Sequence, residues 1–187
     1  MDEFNEEGID MGELSIFEKE KLLVGVLISR IEVLPELEDR LIHCWGDIDL
    51  KSEPVLFEYT DYYNREMGSS IYRCFFSFKE LVAPEDLPAI KIRTNEIELD
   101  YAEGADRKVN LDPGILSLSK FILATTKNNV HRIPMNRGIY GELTLQFKDR
   151  DFHPLEWTYP DFAGRENRDL LIRIRDIYKK QRKALKN

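Results

Sequence analysis

The chain has little cysteine, no long apolar run and none of the short signatures that mark a nucleotide or metal enzyme. Its two cysteines, Cys44 and Cys74, form no CxxC pair and sit in apolar neighbourhoods. That excludes a disulfide framework and predicts free, buried thiols of a reducing cytoplasm. The longest apolar run, Leu22 to Ile28, is far shorter than the ~20 residues of a membrane span. No GxxxxGK(S/T) loop is present to cradle phosphates, no GxGxxG follows the first apolar run, and GxSxG, HExxH and a paired H-x-T are absent. The three histidines, His43, His131 and His153, lack metal-spaced partners, so zinc is not expected. The first residues, MDEFNEEGID, are acidic and lack an apolar core, which predicts neither a signal nor a transit peptide.

What is present describes a globular domain. The 187 residues are 42% apolar and 33% charged, too apolar for a disordered chain. One α+β domain is predicted over 19–187 behind an acidic leader, 1–18, large enough to bury a core without staples. The net charge of −8 disfavours nucleic acid as a partner. Residues 165–187 nevertheless hold nine bases against three acids. They read as the solvated face of a helix or as a polyanion patch.

Periodicity gives the elements. Lys21 to Ser29 reads as a buried strand. Leu34, Leu37, Leu41, Ile42 and Trp45 then recur at helical spacing, with Pro35 at the start and Gly46 at the stop. Pro54 to Tyr63 alternates as a strand, Gly68-Ser69-Ser70 is a turn, and Ile71 to Leu81 is the return strand. Pro84 opens a helix running to about Tyr101, and Lys108 to Leu111 is a short strand ended by an Asp112-Pro113-Gly114 turn. This β-α-β-β-α-β order predicts a ferredoxin-like sheet. Leu116 to Lys127 reads as a short helix or a strand, with the helix preferred. A second hairpin turns at Asn136-Arg137-Gly138, residues 149–164 read as loop, and a last helix begins near Glu166 with Leu170, Leu171, Ile174, Ile177 and Tyr178 as its apolar stripe.

Four polar clusters interrupt the core pattern. The first is Thr60-Asp61-Tyr62-Tyr63 with Glu66, where Asp61 is either a ligand group or the cap of a fraying strand end. The second is Asn110 to Gly114, where Asp112 is either a site residue at a strand end or ordinary turn chemistry. The third places Lys127, His131 and Arg132 beside Thr125 and Thr126, as an anion site requires, though a solvated loop has the same composition. The fourth joins Arg137, Gly138, Tyr140 and Glu142 to Trp157, Thr158, Tyr159, Pro160 and Asp161. It makes a pocket wall or a loop pinned by its own rings.

The segments TDYYNREMG, Thr94-Asn95-Glu96, VNLDPGILSLSKFILATTK, HRI, GIYGELTL and PLEWTYPDF, in this order, resemble the bacterial domain-of-unknown-function family 4416 from about Leu22 to Tyr178. The resemblance implies no reaction, substrate or catalytic residue. Some members carry the label of GTP-binding protein, and no P-loop accompanies that label here.

Two functions fit these residues. One is a site for a small anionic ligand such as a nucleotide or phosphorylated metabolite. Lys127, His131, Arg132 and Arg137 would hold the anion, and Asp61, Glu66, Asp112 or Glu142 would act as acid/base or magnesium-binding groups. Asp61, Asp112, His131 and Glu142 are the candidate catalytic residues, and Tyr63, Tyr140, Trp157, Tyr159 and Asp161 further ligand contacts. Asp61, Asp112, His131 and Arg132 are expected to meet in one pocket bordered by Tyr140 or Trp157. The other function is a non-catalytic module docking a protein or RNA through its aromatic loops and basic C-terminal helix. Convergence of the clusters favours the first, and a flat exposed apolar patch the second.

Overall fold

The computed structural model describes residues 15–185. Most of the expected acidic leader, residues 1–14, lies outside them, and residues 15–19 are exposed. The first strand, β1 (Glu20–Ile28), is buried along nearly its whole length because it is central and covered on both faces. Helix α1 (Leu34–Trp45) follows, with Pro35 in its first turn, and stops at Gly46 (φ 81°), a conformation that costs a residue with a Cβ. Then come β2 (Ile48–Lys51), β3 (Val55–Leu56), the single-turn helix α2 (Asn64–Met67), β4 (Tyr72–Val82) and α3 (Leu87–Asp100). The chain continues through β5 (Val109–Leu116), β6 (Lys120–Thr125), β7 (Arg132–Pro134), β8 (Tyr140–Lys148), β9 (Asp151–Pro154), α4 (Pro160–Ala163) and α5 (Arg165–Leu185).

All nine strands join one antiparallel sheet in the order β2-β4-β1-β5-β6-β8-β7, with β3 on β4 and β9 on β8. Alternation sorts the side chains. Leu22, Val24, Val26, Cys74, Phe76, Phe78 and Leu111 face α1 and α3, which supply Leu37, Leu41, Ile90 and Ile97. Leu23, Phe75, Leu116, Phe121, Leu145 and Phe152 face α5, which supplies Leu170, Leu171, Ile174 and Tyr178. None of the described helices is long and apolar enough to cross a membrane.

The structure corrects the expected elements in four places. The nine-stranded order is not that of a ferredoxin-like sheet. The alternating stretch 54–63 contributes only Val55 and Leu56 to β4, and β2 takes the remaining edge of β4 instead. Phe57 and Tyr63 pack beside the sheet with Leu27, Met67 and Ile71 rather than pairing along it. Within 116–127, where a helix was preferred over a strand, the chain ends β5 at Leu116 and forms β6 (Lys120–Thr125). Phe121 and Leu123 face one side while Ile122 and Ala124 face the other, and burial on both faces erases the alternation that would have marked a strand. Asp112-Pro113-Gly114 lies inside β5, and residues 149–164 hold β9 and α4. The second hairpin turns where expected, with Arg137 and Gly138 both at positive φ (54° and 77°).

Both cysteines are free, Cys74 fully buried and Cys44 half-buried. Burial pushes the Cys74 thiol up to about 12. A thiol reagent at pH 8 is therefore expected to label Cys44 in the native protein and Cys74 only on unfolding. Equal labelling rates at both would show that the sheet around Cys74 opens readily.

Candidate functional site

The sheet forks between β5 and β6. Their pairing spans only Gly114–Leu116 against Phe121–Leu123, and beyond it the two strands separate. The fork leaves the backbone of Leu111 with no strand partner on that side. Helix α3 supplies one. Glu98 Oε1 accepts the Leu111 N–H (2.8 Å), and Lys91 Nζ donates to the Leu111 carbonyl (2.7 Å). Pro113, two residues on, has the same orientation in β5, so its missing N–H falls on the unpaired side and costs no ladder bond. Gly114 marks the point of closure, since a Cβ there would stand 2.6 Å from the Ile122 carbonyl oxygen.

A cavity of about 560 Å³ occupies the fork on the α5 side of the sheet. Its floor is Leu27, Asn110, Asp112, Leu123 and Glu142. Lys91 and Asn95 of α3 reach it through the opening. One wall is the aromatic segment Phe57, Tyr59, Tyr62 and Tyr63, the other Tyr159 to Phe162, and Thr125, Thr126, Lys127 and Arg132 close the remaining side. No α5 residue lines it. All four polar clusters thus contribute to one cavity.

The charges are organised in two networks. In the first, Arg73 lies buried across β1 with its guanidinium between Asp112 (3.0 Å) and Asp161 (2.8 Å). Asp112 also accepts from Asn110, which accepts from Arg107, and Arg107 pairs with Glu66 and Glu98. Burial raises the Asp112 carboxyl, but attraction to Arg73 and Lys91 outweighs it and holds the group below the ordinary carboxylate value. Burial, and then the Asp112 charge, push the Tyr63 phenol well above its usual range. In the second network Glu142 Oε2 accepts from Arg132 Nε (2.7 Å) and contacts His131 Nε2 (3.0 Å). Arg132 also donates to Tyr159 Oη and the Lys127 carbonyl. Burial opposes the Arg132 charge, and its interactions with Glu142 and Tyr159 together outweigh that cost. Lys127 is the lining cation least tied to carboxylates among the described residues. Its Nζ donates to Tyr62 Oη at 2.8 Å.

The candidates from the sequence fall into three positions. Tyr63, Asp112, Lys127, Arg132, Glu142, Tyr159 and Asp161 line the cavity. Glu66, His131 and Trp157 stand one layer behind. Glu66 braces Arg107, while His131 stacks on Trp157 (4.8 Å, 9°) and Trp157 Nε1 donates to the Leu143 carbonyl. Asp61, Arg137 and Tyr140 do not line it. Asp61 is exposed and accepts from the side-chain amide of Asn64 at the start of α2 (2.7 Å), Arg137 occupies the hairpin turn, and Tyr140 pairs with Thr125 and Pro134. Asp61 ends no strand and, with His131 behind the lining, the expected meeting of Asp61, Asp112, His131 and Arg132 is reduced to Asp112 and Arg132. Among the described residues no three His, Cys, Asp or Glu side chains converge as a metal site would require.

Arg73, Lys91 and Arg107 were not singled out from sequence, nor was Gly25, which a Cβ would bring within 3.1 Å of Arg73 Nη2. Both Gly25 and Arg73 carried a readable signal. A glycine inside an apolar strand marks a close approach, and an arginine between Tyr72 and Cys74 marks a charge that must find a buried partner.

The chain matches the model of one family, Domain of unknown function (DUF4416), over residues 18–178, nearly its whole length, and it belongs to that family. No curated protein and no solved structure matches it.

Proposed function

We propose that this DUF4416 member binds a small anionic ligand carrying a flat ring, of the nucleotide or phosphorylated-metabolite class, in the forked-sheet cavity. The observation that carries the reading is the convergence of four separate polar clusters on one cavity whose volume suits a small molecule. The division of its lining supports it further. Tyr59, Tyr62, Tyr63 and Tyr159 offer ring faces, while Lys127 stands beside the hydroxyls of Thr125 and Thr126. Asp112 and Glu142 are engaged by arginines and serve this reading as binding and ordering groups. The protein acts in a reducing cytoplasm, where two unpaired thiols persist. The fold reading that accompanies it treats β2-β4-β1-β5, with α1 and α3 on one face, as a split βαβ unit of ferredoxin-like kind, to which β6, β8, β7 and α5 are appended.

The docking-module alternative is favoured by one feature, the exposed apolar side chains of Val130, Ile133 and Met135 around β7. Calorimetric titration with AMP, GMP, CMP, UMP and glucose 6-phosphate separates the two. At least one is expected to bind, and Lys127→Ala to weaken it about tenfold or more, the worth of one charge-assisted hydrogen bond. The melting midpoint should stay near wild type, because Lys127 is exposed. Absence of binding by the whole panel would contradict the proposal.

A further inference from the structure

Three buried side-chain atoms among the described residues have no hydrogen-bond partner: Glu20 Oε2, Arg73 Nε and Glu142 Oε1. Two have local explanations. Glu20 lies at the far end of β1 under the charges of Lys120 and Arg182. The Arg73 guanidinium lies against the Phe75 and Phe162 rings, its carbon 4.8 and 5.0 Å from their centroids, so aromatic rings border one side of it. Glu142 has neither excuse. Its side chain lines the cavity and is almost wholly buried, and Oε2 alone takes both of its partners, Arg132 and His131. A buried carboxylate oxygen left without a donor is costly, and the side chain that carries this one lines the cavity.

The surroundings say what kind of donor. Glu142 stands opposite Leu123 in the sheet, and its partner Arg132 holds Tyr159 Oη. That part of the cavity has an apolar floor and a ring wall, which suits the edge of a flat heterocycle. Arg132 Nη1 also grips the Lys127 carbonyl, so the exposed Lys127 end adjoins it on the side of Thr125 and Thr126. Resting on the binding site proposed above, we infer that Glu142 is a specificity residue. It accepts an N–H of an amino-bearing heterocycle, while the ligand's anionic group lies toward Lys127. The ligand class is then narrower than any phosphorylated metabolite: a nucleotide whose base presents an amine at that edge.

Glu142→Gln makes this testable. Arg132 can only donate, so the glutamine carbonyl must face it, which leaves an amide N–H₂ where Oε1 stood. The cavity acceptor becomes a donor with little change of shape. Affinities would be measured for the amino/oxo pairs AMP with IMP and CMP with UMP. Wild type is expected to prefer the amino member of at least one pair by about tenfold or more, and Glu142→Gln to abolish or invert that ratio. Lys127→Ala is expected to weaken both members equally and leave the ratio intact. Binding without amino preference in the wild type overturns the inference and leaves the ligand site standing, and this arm holds whether or not the glutamine variant folds. A ratio unchanged in a folded Glu142→Gln protein also overturns it. Absence of any nucleotide binding overturns the nucleotide assignment itself, and the inference with it.

Discussion

Replacing Arg73 by methionine is expected to destabilise the protein by about 3–5 kcal/mol, the cost of leaving buried charges without their partner. The side chain is 3% exposed and ties Asp112 of β5 to Asp161 of α4 across β1. Its loss strands both carboxylates at the base of the cavity and unfastens the Tyr159 to Phe162 wall. Denaturant melts would read the change, and restoring neutrality with Asp112→Asn and Asp161→Asn in the same chain should recover part of it. The pH profile gives a second reading. Asp112 is held below its unfolded value of about 3.9, so its contribution is present above that pH and is lost as the pH falls through the lower folded value. Without Arg73 only Lys91 and Asn110 oppose the desolvation, and acid unfolding should begin at higher pH. Wild-type stability and an unmoved acid limb in Arg73→Met would show that the clamp contributes nothing.

Ile174→Ala and Leu171→Ala are each expected to cost about 2–5 kcal/mol, as for other large-to-small changes in a closed core. Both side chains are buried against the sheet face built from Leu23, Phe75, Leu116 and Phe121. Charge reversal at the exposed Lys179 and Lys180 should leave stability within about 0.5 kcal/mol. The basic character of α5 is then the outer face of a packing helix. If Ile174→Ala and Leu171→Ala both melt like wild type while Lys179→Glu with Lys180→Glu abolishes salt-sensitive RNA binding, α5 is a polyanion surface instead.

What the sequence made legible follows the strength of its periodic signals. β1, α1, β4 and α5 are long and amphipathic or uniformly apolar, and they and α3, which Pro84 announces, were each read within a few residues of their ends. The failures lie where tertiary context overrode a local pattern. Asp112-Pro113-Gly114 has turn composition, yet it runs straight within β5 because the fork removes the ladder bond that Pro113 cannot make. The alternation of 57–63 is genuine, but its aromatic residues are spent on a cavity wall rather than on strand pairing. The same division holds at the site. Clusters at 110–112, 125–132 and 159–161 were visible because polar residues stood out against an apolar pattern. Arg73 was hidden because it sits singly in an apolar strand and Lys91 because it is one of several charges on α3, and only the partners supplied by Asp161, Asp112, Glu98 and the Leu111 carbonyl explain them. Asp61 misled because a carboxylate beside tyrosines looks the same whether it lines a pocket or caps a turn.

The proposed ligand site is the fork between β5 and β6. The most direct test is a chemical-shift perturbation map of the ¹⁵N-labelled protein titrated with the tightest-binding nucleoside monophosphate. Saturable shifts are expected at Tyr62, Asn95, Asn110, Thr126, Lys127 and Arg132, and none along the solvent face of α5. Shifts confined to Lys179, Lys180 and their neighbours, with the fork residues unmoved, would contradict it.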